Sequence, residues 1–177
     1  FQLGIAFFVL YTVQLNIENM NGIFGLFEMP KTMSIFLSIF VYVIFMNMLN
    51  LIDGIDGLAS GLSLIAFTFF AYLAFRTGSA FNLLICMSCI GSLLPFMYFN
   101  MFSDKKIFLG DNGSLTLGFI LGFLSLELLS TDNQEASSLL GLNIPLILMS
   151  LFSFPLVDTL RVFTIRVLRI RSPFSAD

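Results

Sequence analysis

The chain has 177 residues, 58% of them hydrophobic and only 11% charged, whereas a soluble domain carries about 25% charged residues. With 23 Phe, no Trp and a mean hydropathy of +0.98, its apolar side chains are too many for one small core, which excludes a water-soluble fold. The net charge of −3 excludes a nucleic-acid partner, which needs a basic face, and the absence of His excludes His-based acid–base chemistry and His-ligated zinc.

Apolar runs fall at Phe1–Leu15, Thr32–Leu51, Leu58–Phe75, Ala80–Phe99, Leu115–Leu129 and Leu139–Leu160, separated by polar or Gly-containing breaks. Backbone groups in hydrocarbon must pair within their own segment, so long runs without alternation read as helices and not as barrel strands. The expected fold class is all-α: a polytopic membrane bundle of about six helices, forming one integral membrane domain over residues 1–177. Phe1–Leu15 has no basic leader or small-residue cleavage site and reads as part of a span. Gly118 and Gly122 stand four apart, a spacing that suits close helix packing. Cys86 and Cys89 lie one turn apart inside an apolar run and read as buried small residues, and the sequon at Asn112 is a chance match.

Placing both ends in the cytoplasm puts Lys105, Lys106, Arg161, Arg166, Arg169 and Arg171 inside, against Lys31 and Arg76 outside. The positive-inside rule favours that orientation. It gathers the unusual polar residues on the cytoplasmic face.

The first polar segment is Asn47 to Ala59, in which Asn47, Asn50, Asp53 and Asp56 recur every three residues. On a helix this spacing makes a slowly drifting stripe, so Asn47 and Asn50 are expected to share one interhelical space, while Gly54 and Gly57 permit a turn presenting both carboxylates. A helix end capped by Asp accounts for Asp53-Gly54 but not for four polar groups in an apolar chain. Amide and carboxylate oxygens at an interface suit a hard cation such as Mg²⁺, with Mn²⁺ as an alternative.

The second segment, Lys105 to Ser114, places Asp111 between Gly110 and Gly113 just before a span. Capping is one role for Asp111 and Ser114, and phosphate binding at a helix N-terminus, with Gly110 allowing close approach, is compatible with it. The third segment, Arg161 to Asp177, carries four Arg, among them Arg169 and Arg171. These read either as topology anchors or as pyrophosphate ligands.

Asn47–Ala59, Phe108-Leu109-Gly110-Asp111-Asn112-Gly113-Ser114, and Pro155–Thr159 with Arg171–Asp177 together resemble the polyprenyl-phosphate N-acetylhexosamine-1-phosphate transferases, in the family's order and over essentially the whole chain. The resemblance implies transfer of a sugar-1-phosphate from a UDP-N-acetylhexosamine to undecaprenyl phosphate, with release of UMP, at a Mg²⁺ site on the cytoplasmic face of the plasma (inner) membrane. It implies Asn50 and Asp111 at the metal, Phe108 stacked on uracil, Asp53 and Asp56 as the acidic pair of the nucleotide site, and Asn100 as a nucleotide contact. Asp53, Asp56 and Asp111 are then the catalytic candidates. Asn47, Asn50, Asn100, Phe108, Gly110, Ser114, Arg169 and Arg171 are the substrate-binding ones.

Family members also carry an Asp-Asp motif upstream and a His-rich loop downstream, which are not in these 177 residues. The chain is therefore expected to be an internal piece of a longer enzyme. Its ending resembles the N-acetylglucosamine-1-phosphate branch more than the muramoyl-pentapeptide branch, which stands as the alternative within the family. A membrane transporter with an interfacial cation site is the alternative from another class, although its charges are expected near the midplane and not at one face. Assembly as a homodimer is left open.

Overall fold

A computed structural model describes residues 2–20, 22–25, 27–130 and 143–168. Among these the regular structure is helical: α1 (Gln2–Val13), a short 3₁₀ turn (Ile23–Gly25), α2 (Lys31–Ile52), α3 (Leu58–Thr77), α4 (Ala80–Phe102), α5 (Gly110–Leu129), α6 (Ile144–Leu151) and α7 (Ser153–Leu168). Strand-like pairing among the described residues is limited to an isolated antiparallel bridge between Asn19 and Glu28. The chain is an all-α membrane protein.

The number of spans is lower than the sequence suggested. Four helices, α2 to α5, are each long and apolar enough to cross a bilayer, and α6 with the start of α7 makes a fifth if that bent pair is one span. The described part of α1 has twelve residues, about 18 Å of rise against about 30 Å of hydrocarbon. The last apolar run is broken, with a bend of 59° between α6 and α7. Pro155 has no N–H to offer the Leu151 carbonyl four residues back, which removes one helical hydrogen bond at the bend. Phe152 fills the corner, fully buried and edge-on to Phe45 with ring centroids 4.6 Å apart.

α2 and α5 form the centre. Gly118 and Gly122 set their separation, because a Cβ at Gly118 would lie 2.5 Å from the Phe45 carbonyl oxygen and one at Gly122 would lie 2.9 Å from the Tyr42 ring. The close-packing expectation for this pair holds. α3 and α4 form a hairpin closed by Gly78, which has a φ of +73°. α4 is peripheral: its fully buried residues are Cys86, Leu93 and Asn100, seven apart along one edge, with Leu83, Cys89, Ile90 and Phe96 half-buried against the core and much of the rest left for lipid. Cys86 is buried and Cys89 partly so, and both are free thiols.

This arrangement brings the α2–α3 turn and the α4–α5 connection to one end of the bundle, with the α3–α4 turn at the other.

Candidate active site at one end of the bundle

α2 ends at Ile52, and residues 53–57 turn the chain into α3 through bonds from the Ile55 N–H to the Ile52 carbonyl (3.3 Å) and from the Leu58 N–H to the Ile55 carbonyl (3.1 Å). Gly57 takes a φ of +74°, which favours glycine, and a Cβ there would sit 2.7 Å from Met101 Sδ, so that flexible side chain would have to shift. Gly54 faces open space without a positive φ. Of the two expected turn glycines, Gly57 is the one the geometry favours.

α5 begins at Gly110 and not at Leu115, so Asp111 stands in its first turn and Ser114 one turn on from Gly110, instead of both lying ahead of the helix. Leu109, at the N-cap position, supplies no side-chain cap. The cap comes from the other segment: Asp53 Oδ2 accepts the Gly110 N–H at 2.9 Å. Negative charge is stabilised at that end of a helix, where unpaired N–H groups point outward. Burial pushes the Asp53 carboxyl above the usual carboxylate range, the N–H groups of Gly110 and Leu109 pull it back, and the charge of Asp111 raises it further.

Asn50 completes the junction. Its Nδ2 donates to Asp111 Oδ1 and to Ser114 Oγ, both at 3.0 Å, while the Ser114 hydroxyl donates to the Gly110 carbonyl at 2.8 Å. With both amide hydrogens so used, the Asn50 oxygen and the second Asp111 oxygen remain as acceptors. Asp53, Asn50, Asp111, Gly110 and Ser114 thus form one connected cluster drawn from two sequence segments.

Other candidates lie elsewhere. Asn47 does not share the space of Asn50: its amide exchanges hydrogen bonds with Gln2 of α1 (3.0 and 3.3 Å) and donates to the Val43 carbonyl at 2.8 Å. Three residues advance a helix by about 300°, leaving the two side chains about 60° apart. That angle suffices to turn one toward α1 and the other toward α5. Asp56 is separated from Asp53 and forms an ion pair with Lys106. Asn100, 3% exposed near the end of α4, accepts the Gly57 N–H and donates to the Ile107 carbonyl, each at 2.6 Å, so both polar atoms of its side chain are committed to backbone. Phe108 is 55% exposed beside the cluster. Arg169 and Arg171 lie outside the described residues. Lys106, which the sequence marked only as a topology charge, and Gln2 are the partners that sequence reasoning missed; neither has a motif of its own.

Among the described residues, no group of three or more His, Cys, Asp or Glu side chains could by itself enclose a metal ion. The cluster instead offers the carboxylates of Asp53 and Asp111, close enough for one charge to raise the other, with the Asn50 amide oxygen beside them. Such an open, all-oxygen set fits a hard cation that keeps water or phosphate oxygens in its remaining positions.

An all-α membrane bundle with a carboxylate and amide cluster at one end defines the class: a polytopic membrane protein with an interfacial polar site. The family model "Glycosyl transferase family 4" matches residues 1–129, and the chain belongs to that family. It is 34% identical over 104 residues to the probable undecaprenyl-phosphate N-acetylglucosaminyl 1-phosphate transferase of Bacillus subtilis, a match that covers 59% of this chain and 26% of the relative. It is 47% identical over 57 residues to the phospho-N-acetylmuramoyl-pentapeptide-transferase of Lactobacillus helveticus (32% and 17% covered) and 38% identical over 58 residues to that of Rickettsia canadensis (33% and 15%). The chain therefore spans about a quarter or less of the length of these relatives. Family membership and the apolar helices together make it a membrane chain of glycosyl transferase family 4.

Proposed function

We propose that this chain carries the metal and nucleotide end of an enzyme that transfers N-acetylhexosamine-1-phosphate from a UDP-sugar to undecaprenyl phosphate, releasing UMP on the cytoplasmic face of the plasma membrane. The supporting observation is the junction of Asn50, Asp53, Asp111 and Ser114, in which polar side chains from two helices meet at a helix N-terminus. That N-terminus suits phosphate oxygens. Asn50 and Asp111, with Asp53 beside them, would hold Mg²⁺, which lowers the repulsion between two phosphates and offsets charge on the departing one. Asn50 fixes the orientation of the Asp111 carboxylate, and exposed Phe108 offers a face for the uracil ring. Asp56 and Lys106 tie the two loops across the site. The lipid phosphate is already anionic, so the work assigned to these side chains is positioning and electrostatic screening rather than proton removal.

N-acetylglucosamine-1-phosphate is the sugar phosphate favoured by the Bacillus relative's name. The muramoyl-pentapeptide reading is favoured equally by the higher local identity of the Lactobacillus match. The test is radiolabelled transfer to undecaprenyl phosphate in membranes carrying the whole gene product, supplied in turn with UDP-N-acetylglucosamine and UDP-N-acetylmuramoyl-pentapeptide. Label entering the lipid from one donor identifies the branch. Label entering from neither, in membranes where the protein is present and folded, refutes the transferase reading.

A further inference from the structure

α3 runs from the candidate active site to the opposite end of the bundle, where Gly78 turns the chain into α4. Its twenty residues rise about 30 Å, the thickness of the hydrocarbon layer, so its last turn stands at the level of lipid phosphates on the far membrane face. Arg76 lies in that turn, where the negative end of the helix dipole stabilises a cation.

The Arg76 side chain is exposed but folds back on its own helix. Its Nη1 donates to the Tyr72 hydroxyl at 2.9 Å, and its guanidinium carbon stands 5.8 Å from the centre of that ring. Helical side chains lean toward the N-terminus of their helix, which on α3 is toward the membrane interior, and Tyr72, one turn back, holds the guanidinium there. Only one of the five N–H donors is used in this way, and among the described residues Arg76 forms no ion pair with a carboxylate. The Tyr72 hydroxyl, having accepted from the arginine, keeps its own hydrogen to donate.

An apolar track leads to this pair. Ile65, Thr68, Tyr72, Phe75 and Arg76 fall within about 100° of arc on α3, and all five are exposed, Ile65 by 63% and Phe75 by 72%. Thr68 gives its hydroxyl hydrogen to the Leu64 carbonyl at 2.7 Å, which suits that side chain to a lipid-facing position.

We propose that Arg76 and Tyr72 bind the phosphate of an anionic glycerophospholipid in the leaflet opposite the candidate active site, with an acyl chain laid along Ile65 and Thr68. The planar guanidinium offers two parallel N–H groups to two phosphate oxygens, and the Tyr72 hydroxyl supplies a further donor. The apolar track favours a lipid over a soluble anion, because only a ligand with a chain covers it. Charge sets the headgroup: with no carboxylate neutralising the guanidinium, an anionic headgroup complements it, whereas a zwitterionic one would bring an ammonium beside Arg76.

The test is native mass spectrometry of the whole gene product in detergent, with added phosphatidylglycerol or a phosphate-free diglucosyl diacylglycerol of the same chains. Phosphatidylglycerol is expected to be retained and the glycolipid not. Arg76→Gln should weaken retention of phosphatidylglycerol about tenfold or more, and Tyr72→Phe, which keeps the ring, about threefold. Both side chains are exposed, so each variant should keep the parent's unfolding temperature in detergent. Lys31→Gln removes a charge from the same end of the bundle, where α2 begins, and should leave retention unchanged. A loss in Lys31→Gln as large as in Arg76→Gln would reduce the effect to bulk attraction and overturn the proposal. Equal retention of the glycolipid, or undiminished retention in either the Arg76 or the Tyr72 variant, would also overturn it. So would displacement of the lipid by soluble glycerophosphoglycerol at the same concentration, which would make a free phosphodiester the ligand.

Discussion

Replacing Asn100 with Leu would test whether that side chain is the staple between the two loops that carry the site. The substitution removes the acceptor for the Gly57 N–H and the donor to the Ile107 carbonyl, both at 2.6 Å, at a position 3% exposed. Each stranded backbone group costs about 1–3 kcal/mol. Partial water access favours the low end, so the two together come to about 2–4 kcal/mol. Leu is the better helix former by about half a kcal/mol, which offsets only a small part of that. The loss is expected to open the 53–57 turn and the 103–109 connection locally, since the packing of α2 on α5 does not involve Asn100. Amide exchange at Gly57, followed by mass spectrometry in detergent, should accelerate by about 30- to 700-fold for that range at 1.4 kcal/mol per tenfold. Asn100→Asp keeps the acceptor for Gly57 but sets a carboxylate against the Ile107 carbonyl, so it should spare residues 53–57 and loosen residues 103–109. Parent-like exchange in both loops of the Leu variant would refute the staple.

Asp111→Asn keeps the size of the side chain but removes a charge from the proposed cation site, and Mg²⁺-dependent transfer by the whole protein should fall at least tenfold, about 1.4 kcal/mol; parent-like turnover would remove Asp111 from the metal. Phe108→Ala should weaken UDP-sugar binding by about 1–3 kcal/mol, read by calorimetry, if the ring stacks on the base; unchanged affinity would assign the ring to the lipid interface. Gly118→Val drives a side chain into the Phe45 backbone and should lower the unfolding temperature in detergent through overpacking of about 1–3 kcal/mol or more; no change would mean that α2 and α5 can separate freely. In a Cys86→Ala, Cys89→Ala background, cysteines at exposed Asp104 and Ala80 should be labelled from opposite sides of the membrane, with Asp104 cytoplasmic; labelling of both from one side would undo the orientation.

Composition and hydrophobic run length alone determined the class, because lipid admits few backbone arrangements and four of the expected runs became α2 to α5. The polar residues of the cluster were legible for the same reason, since Asn50, Asp53 and Asp111 are expensive in an apolar chain. Their partnerships were not legible. That Asp53 caps a helix starting 57 residues later, or that Asp56 pairs with Lys106 fifty residues on, depends on how α2 and α5 dock. The docking is set by the bare backbone at Gly118 and Gly122, which allows an approach that any side chain would block. The three-residue stripe misled for a related reason, because periodicity orients side chains about one axis and says nothing of which neighbour stands 60° away, so Asn47 went to α1 and Asn50 to α5. The broken last span had its signal in Pro155, but the corner forms only because Phe152 finds a buried place against Phe45, a contact between residues more than a hundred positions apart that tertiary packing alone supplies.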